Sequence, residues 1–305
     1  MASIFGLTEQ NLQPEPPKRK PNEDYFDYAQ NGSILVAAVM DGIPVLRNEQ
    51  GDYPEKNGGI AARIAAKSIC NFLKNIYSPS RDTRSCHELI LRAFINANAD
   101  IRATNHAHRI YDKKEPQWIA TVGCALWANT EKNEAYFAYI GDPLAFLIHS
   151  HGGCIELLTE DQLRDFENHL RTKHKDEFKD AGTSTKIREH QDKFVRNVKY
   201  SKCFCGKSLR GWGALTGQPE AMEFVVLNRI ETPPGTRVIL ASDAIEAIGA
   251  GNAKEREVED YKNAFFSIIK LSPVSAAREL LRLTRAGEEE KKCKSDDATF
   301  VVIDF

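Results

Sequence analysis

Acidic residues stand against apolar runs at five points of the chain: Asn22-Glu23-Asp24, Asp41-Gly42, Gly141-Asp142, Ser242-Asp243 and Ser295-Asp296-Asp297. Asp41 closes the run from Ser33 to Met40, and Asp142 follows the run from Ala135 to Ile140. Asp243 closes Arg237 to Ser242, and Asp296 precedes Ala298 to Asp304. Carboxylates gathered at one rim of a sheet repel each other until cations neutralise them, and an all-oxygen set suits hard ions such as Mg²⁺ or Mn²⁺. Each pair alone is also ordinary turn chemistry, because Asp-Gly and Gly-Asp commonly follow strands. Five in this order point to a metal site assembled from strand ends.

The elements that must position these residues follow from periodicity. A short strand is expected near the N-terminus. Pro14, Pro16, Pro17 and Pro21 then exclude regular helix and imply an extended path. After the strand at 33–40 comes a polar stretch, 47–57, and then Gly58-Gly59 opens a helix carrying Ile60, Ile64, Phe72 and Ile76 at helical spacing. A second helix carries Ile90, Phe94, Ala97 and Ile101. The period then shortens to two: 119–128, 134–140, 144–149 and 155–158 read as an antiparallel meander. Strands return at 224–227 and 237–242. Helices follow at about 260–271 and 274–285, with Ser272-Pro273 opening the second, and a last strand ends the chain. Helix pairs bracketing runs of antiparallel strands predict an α+β fold: a four-layer α-β-β-α sandwich of two mainly antiparallel sheets flanked by helices. One domain is expected over 1–305, with a charged flap-type insertion at about 160–210.

Bulk properties narrow the function classes. The 305 residues carry a formal charge of −2, which gives no general electrostatic case for nucleic acid or an anionic membrane. No window approaches the roughly 18 apolar residues of a membrane helix, and the N-terminus does not read as a secretory signal, so a cytoplasmic address and a monomer are expected. Seven scattered cysteines fit reduced thiols better than a disulfide framework. Cys203-Phe-Cys205 lacks two further zinc ligands at a recognisable spacing. His106-Ala-His108 and His149-Ser-His151 would each present two imidazoles on one face of a strand, but no carboxylate of suitable spacing joins them, so they read as surface or satisfied histidines.

The order Arg19-Lys-Pro-Asn-Glu-Asp24, Val39-Met-Asp-Gly42, Ala120-Thr-Val-Gly123, Ile140-Gly-Asp142, Leu158-Thr-Glu-Asp161, Ala241-Ser-Asp243 and Ser295-Asp-Asp297 resembles the metal-dependent protein phosphatases, the type 2C serine/threonine phosphatases. The resemblance covers nearly the whole chain. It implies a β-sandwich flanked by helices and two Mn²⁺ or Mg²⁺ ions at one edge. Asp41 would bridge the two metals. The Gly42 carbonyl and Glu23 or Asp24 would complete one shell, and Asp243 and Asp296 the other. Asp142 falls where the family often holds a third, weaker ion, and Arg19 where it places an arginine on the substrate phosphate. The implied partner is a phosphorylated protein, hydrolysed at phosphoserine or phosphothreonine by a metal-activated water.

Three segments depart from the family pattern. Ile43-Pro44 follows Asp41-Gly42 in place of His-Gly-Gly, Gly141-Asp142-Pro143-Leu144 replaces Gly-Asp-Ser-Arg, and Ala244 replaces the glycine after Ser-Asp. None removes a side-chain ligand. They support an alternative reading, a catalytically weak or silent pseudophosphatase acting as a binding or regulatory module. The insertion carries Lys173, Lys175, Lys179, Lys186, Arg188, Lys193, Arg196, Lys199, Lys202, Lys207 and Arg210, with acidic residues interleaved. It reads either as a basic lid favouring acidic phosphoproteins or as a solvated helical insertion.

Overall fold

The computed structural model describes residues 2–10, 22–43, 58–76, 83–108, 118–149, 154–163, 197, 200–202, 208–249, 258–291 and 296–305. Its elements are β1 (Ser3–Glu9), β2 (Tyr25–Asn31), β3 (Ile34–Gly42), α1 (Gly58–Lys74), α2 (Thr83–Ala107), β4 (Thr121–Asn129), β5 (Glu134–Ile140), β6 (Leu144–Ile148) and β7 (Ile155–Leu157). There follow β8 (Tyr200–Lys202), β9 (Ser208–Arg210), β10 (Val226–Glu231), β11 (Arg237–Ala241), α3 (Val258–Ile268), α4 (Pro273–Lys291) and β12 (Ala298–Asp304).

Strands of successive side chains that alternate between two apolar environments decide the layering. Along β3, Leu35, Ala37 and Val39 face the opposing sheet, while Ile34, Val36, Ala38 and Met40 face α1 and α2. Along β12, Val301 and Ile303 join the core between the sheets, and Ala298, Phe300 and Val302 pack with α3 and α4. Three apolar cores therefore separate four layers, and strands buried on both faces read as continuous hydrophobic runs. The sheets have strand orders β1-β12-β11-β6-β7 and β10-β5-β4-β3-β2, and every pairing in them is antiparallel. This is the α+β, α-β-β-α architecture expected.

The structure corrects several details. The meander breaks: β5 lies in one sheet and β6 in the other, so Gly141-Asp142-Pro143 carries the chain across the sandwich. Gly141 has φ +85°, and a Cβ there would run into Val122, so only glycine makes this crossing without strain. In α1 the deeply buried face is Ala61, Ala62, Ala65, Ala66, Ile69 and Leu73. Ile60, Ile64 and Phe72 pack at its margin, because small residues let the helix approach the sheet and α2 closely. The stripe of α2, Ile90, Phe94, Ala97 and Ile101, is buried as expected. β2 is half-exposed at a sheet edge and too polar to announce itself, and 219–224 forms a 3-10 helix that delays β10 to Val226. His106 lies in a helix rather than a strand. None of the described helices is long and apolar enough to cross a membrane.

Candidate metal centre

Strand register gathers the acidic pairs. Tyr25 opposes Met40, Gly42 opposes Thr121, and Gly123 opposes Ile140 in one sheet. Ala241 opposes both Leu144 and Phe300 in the other. The start of β2, the end of β3, the crossing after β5, the end of β11 and the approach to β12 therefore share one rim of the sandwich. Glu23, Asp24, Asp41, Gly42, Asp142, Asp243 and Asp296 all lie there.

Backbone hydrogen bonds stitch this rim across both sheets. The Glu23 N–H donates to Asp297 Oδ2 at 2.8 Å, and the Gly42 N–H donates to the Glu23 carbonyl at 3.0 Å. The Thr121 hydroxyl donates to the Asp41 carbonyl at 2.6 Å, and Ser242 Oγ accepts from the Thr299 N–H at 3.1 Å. Beyond the rim, Arg285 donates to the Asp296 carbonyl at 2.8 Å while pairing with Glu288 and Glu9, and the Asp296 N–H donates to Glu288. These contacts fix the backbone that carries the carboxylates and leave the carboxylates facing one another.

The electrostatics are those of a site built for cations. Asp24 is 5% exposed, and its Oδ2 is buried with no hydrogen-bond partner among the described residues. Burial above all, with the neighbouring Asp297 and Asp296 charges, pushes its carboxyl up to about 8, although the nearby Ser242 and Thr299 hydroxyls act in the opposite direction. Asp41 is raised well above the carboxylate range by burial first, then by Asp24, Asp243, Asp296 and Asp142. Asp243 is raised by burial first, then by Asp296, Asp142, Glu246 and Asp24. Asp41 and Asp243 keep intermediate surface exposure as residues, yet their carboxyls are desolvated by the crowded rim. Among the described residues, the rim carboxylates form no group of three with ligand atoms within 4.8 Å of one another.

The structure gives supporting roles that the sequence did not assign. Asp297, already part of the Ser295-Asp296-Asp297 motif, is buried and ties β12 to the Glu23 backbone, and Glu246, which no motif had singled out, adds a carboxylate beside Asp243. Gln162 Oε1 accepts from the Gly141 and Gly213 N–H groups, and its side-chain amide donates to the Phe224 carbonyl, so it braces the crossing that presents Asp142. Thr159, within the Leu158-Thr-Glu-Asp161 motif, accepts from the Ala145 N–H. Its polar residues precede the insertion and gave no periodic signal. Arg19, Cys203, Cys205 and most of the insertion, including 164–196, lie outside the described residues. The end of the insertion forms the small hairpin of β8 and β9.

The sequence profile described as protein phosphatase 2C matches residues 17–282. The chain belongs to the protein phosphatase 2C family. No curated protein sequence matches it significantly. Among solved structures, the Mycobacterium tuberculosis serine/threonine phosphatase PstP/Ppp superposes with a TM-score of 0.60 at 19% identity, covering 100% of this chain and 98% of that one. The catalytic domain of PstP in complex with two manganese ions gives 0.60 at 18% identity over 99% and 97%. The S. agalactiae serine/threonine phosphatase gives 0.63 at 14% over 99% of each. At these identities the superpositions establish the shared fold.

Within this phosphatase 2C fold the three departures acquire structural explanations. Gly58 lies against Gly42, and a Cβ on either would collide with the other's backbone, so the residues that flank the 44–57 stretch meet at a close glycine contact. The Gly141-Asp142-Pro143 segment is the sheet-to-sheet crossing itself. Ala244 is buried in the helix-side core, and its methyl group packs beneath the rim.

Proposed function

We propose that this phosphatase 2C chain hydrolyses phosphoserine and phosphothreonine in protein substrates, with two Mn²⁺ or Mg²⁺ ions held at the acidic rim of one domain. The observation that carries the reading is the convergence of the acidic pairs on one rim by strand register, where burial first and neighbouring carboxylates second raise Asp24, Asp41 and Asp243. Asp41 would bridge the ions, the Gly42 carbonyl with Glu23 or Asp24 would serve one, and Asp243 with Asp296 the other. Bound there, such ions would supply a water acidified toward neutral pH and positive charge for the phosphoryl oxygens.

The chain's own residues do the positioning. Arg19, outside the described residues, would clamp the phosphate through paired charge-assisted hydrogen bonds. Asp142, presented by the crossing after β5, stands beside the incoming phosphate and would hold a third, weaker ion or its waters. Water attacks phosphorus in line, the bond to the serine or threonine oxygen breaks, and inorganic phosphate and the free hydroxyl leave. No side chain becomes a covalent nucleophile.

The test is hydrolysis of an aryl phosphate and a phosphopeptide, with Mn²⁺, with Mg²⁺ and after chelation. Metal-dependent release of phosphate from both is expected. Ion binding without turnover on either substrate would establish the silent, binding-module reading instead, and absence of ion binding would reduce the aspartates to turn residues.

A further inference from the structure

The β6–β7 hairpin carries a second constellation, chemically unlike the rim. His149 and Cys154 continue the β6–β7 register beyond Ile148 opposite Ile155, and the His149 N–H donates to the Cys154 carbonyl at 3.0 Å. Glu156 lies two residues beyond Cys154, on the same face of the strand, opposite Leu147. The consequence is a cross-strand triad: one ligand atom from each of His149, Cys154 and Glu156 lies within 4.8 Å of the others. His149 Nε2 donates to Glu156 Oε1 at 2.7 Å. The carboxylate that sequence spacing did not supply to His149 therefore arrives across the hairpin. His151 and the rest of 150–153 lie outside the described residues and are no part of the triad.

We propose that His149, Cys154 and Glu156 bind a thiophilic divalent ion, Zn²⁺ foremost, as a second metal site separate from the rim. Imidazole, thiolate and carboxylate are the donor set of zinc, whereas the rim offers only oxygen. The triad's charge matches the ion: thiolate and carboxylate together balance one Zn²⁺. Ligation takes the place of the His149–Glu156 hydrogen bond, so protons and the metal compete for the same ligand atoms. Tetrahedral bonds of about 2.0–2.3 Å place donors about 3.3–3.6 Å apart. Small rotations of three side chains at a strand edge reach that spacing, and a water completes the fourth position. Cys154 is exposed, while Cys70, Cys86 and Cys124 are buried, so an ion from solvent reaches this thiol directly. Six residues lie between Asp142 and His149, and seven extended steps span roughly 23 Å, so the two sites do not share ligands.

Titration of the full chain with Co²⁺, under a phosphine reductant and with excess Mg²⁺ occupying the rim, tests the assignment. One equivalent of Co²⁺ is expected to produce a near-ultraviolet thiolate-to-metal band and intense visible bands of a four-coordinate ion, both bleached by Zn²⁺. Rim-bound Co²⁺, with oxygen ligands, gives neither. Cys154→Ser should abolish the near-ultraviolet band, and His149→Ala and Glu156→Gln should each weaken binding at least about tenfold. Zn²⁺ should raise the melting temperature of the wild-type chain and not that of Cys154→Ser. No band at one equivalent, a band that survives Cys154→Ser, or wild-type affinity in both His149→Ala and Glu156→Gln would overturn the proposal.

Discussion

Strands β11 and β12 have acidic residues near both ends, and the two ends are organised in opposite ways. At the end remote from the rim, Arg237 holds Asp304 through two hydrogen bonds of 2.6 and 2.9 Å and also donates to the Ile268 and Leu271 carbonyls. Every charge there is answered within the chain, and the result is a clasp joining both strands to α3. At the rim, the charges that act on Asp243 are those of Asp296, Asp142, Glu246 and Asp24. The nearby Arg285 is engaged with Glu9, Glu288 and a backbone carbonyl, so its charge supports the loop rather than neutralising the cluster. A clasped ion pair contributes stability, whereas crowded, desolvated carboxylates cost it.

The sharpest way to break this contrast is to remove one carboxylate from each end. Asp41→Asn and Asp243→Asn should lose turnover to background and bind divalent ions far more weakly, while the metal-free melting temperature stays level or rises as repulsion and desolvation are relieved. Asp304→Asn should do the reverse: folding stability falls by about 1–3 kcal/mol, and turnover per folded molecule is unchanged. Calorimetry and steady-state kinetics on the three variants decide it, and matching signs at both ends would dissolve the distinction.

The second effect is on pH. Asp24 is raised to about 8 from an unfolded value near 3.8, and Asp41 and Asp243 are raised in the same direction. Between those values the folded chain retains protons that the unfolded chain has released, so the metal-free protein should lose stability as pH rises from about 4 through about 8. Divalent ions bind the ionised folded rim and should restore it, most strongly at the alkaline end. Melting curves across this range, with chelator and with Mn²⁺, test the sign.

Two finer variants probe how the rim is held. Arg285→Met should weaken divalent-ion affinity by about 10- to 100-fold, since Arg285 positions the Asp296 backbone without touching an ion. Arg285→Lys should recover part of that loss. Asp142→Ala should still bind two ions and lose at least about tenfold in kcat, equivalent to roughly 1.4 kcal/mol of transition-state stabilisation. Loss of the tightest Mn²⁺ site in a calorimetric titration would instead place Asp142 among the principal ligands.

The amino-acid order alone determined the layers and the identity of the acidic residues. Alternating apolar runs ended by Asp41, Asp142 and Asp243 state where strands stop, and helical stripes such as Ile90, Phe94, Ala97 and Ile101 state what covers them, because burial periodicity is local. Only the tertiary structure decided which strands share a sheet. Period-two patterning from 119 to 158 is the same whether neighbours pair or part, and the parting at Gly141 depends on a positive φ and the close approach of Val122. The return of Gly58 to Gly42 after the polar insertion, and the meeting of His149 with Cys154 and Glu156, were likewise decided there. Each depends on residues brought together by loop closure and cross-strand register. A linear pattern carries the chemistry of every residue, but which charges end up answered is a property of the packed chain.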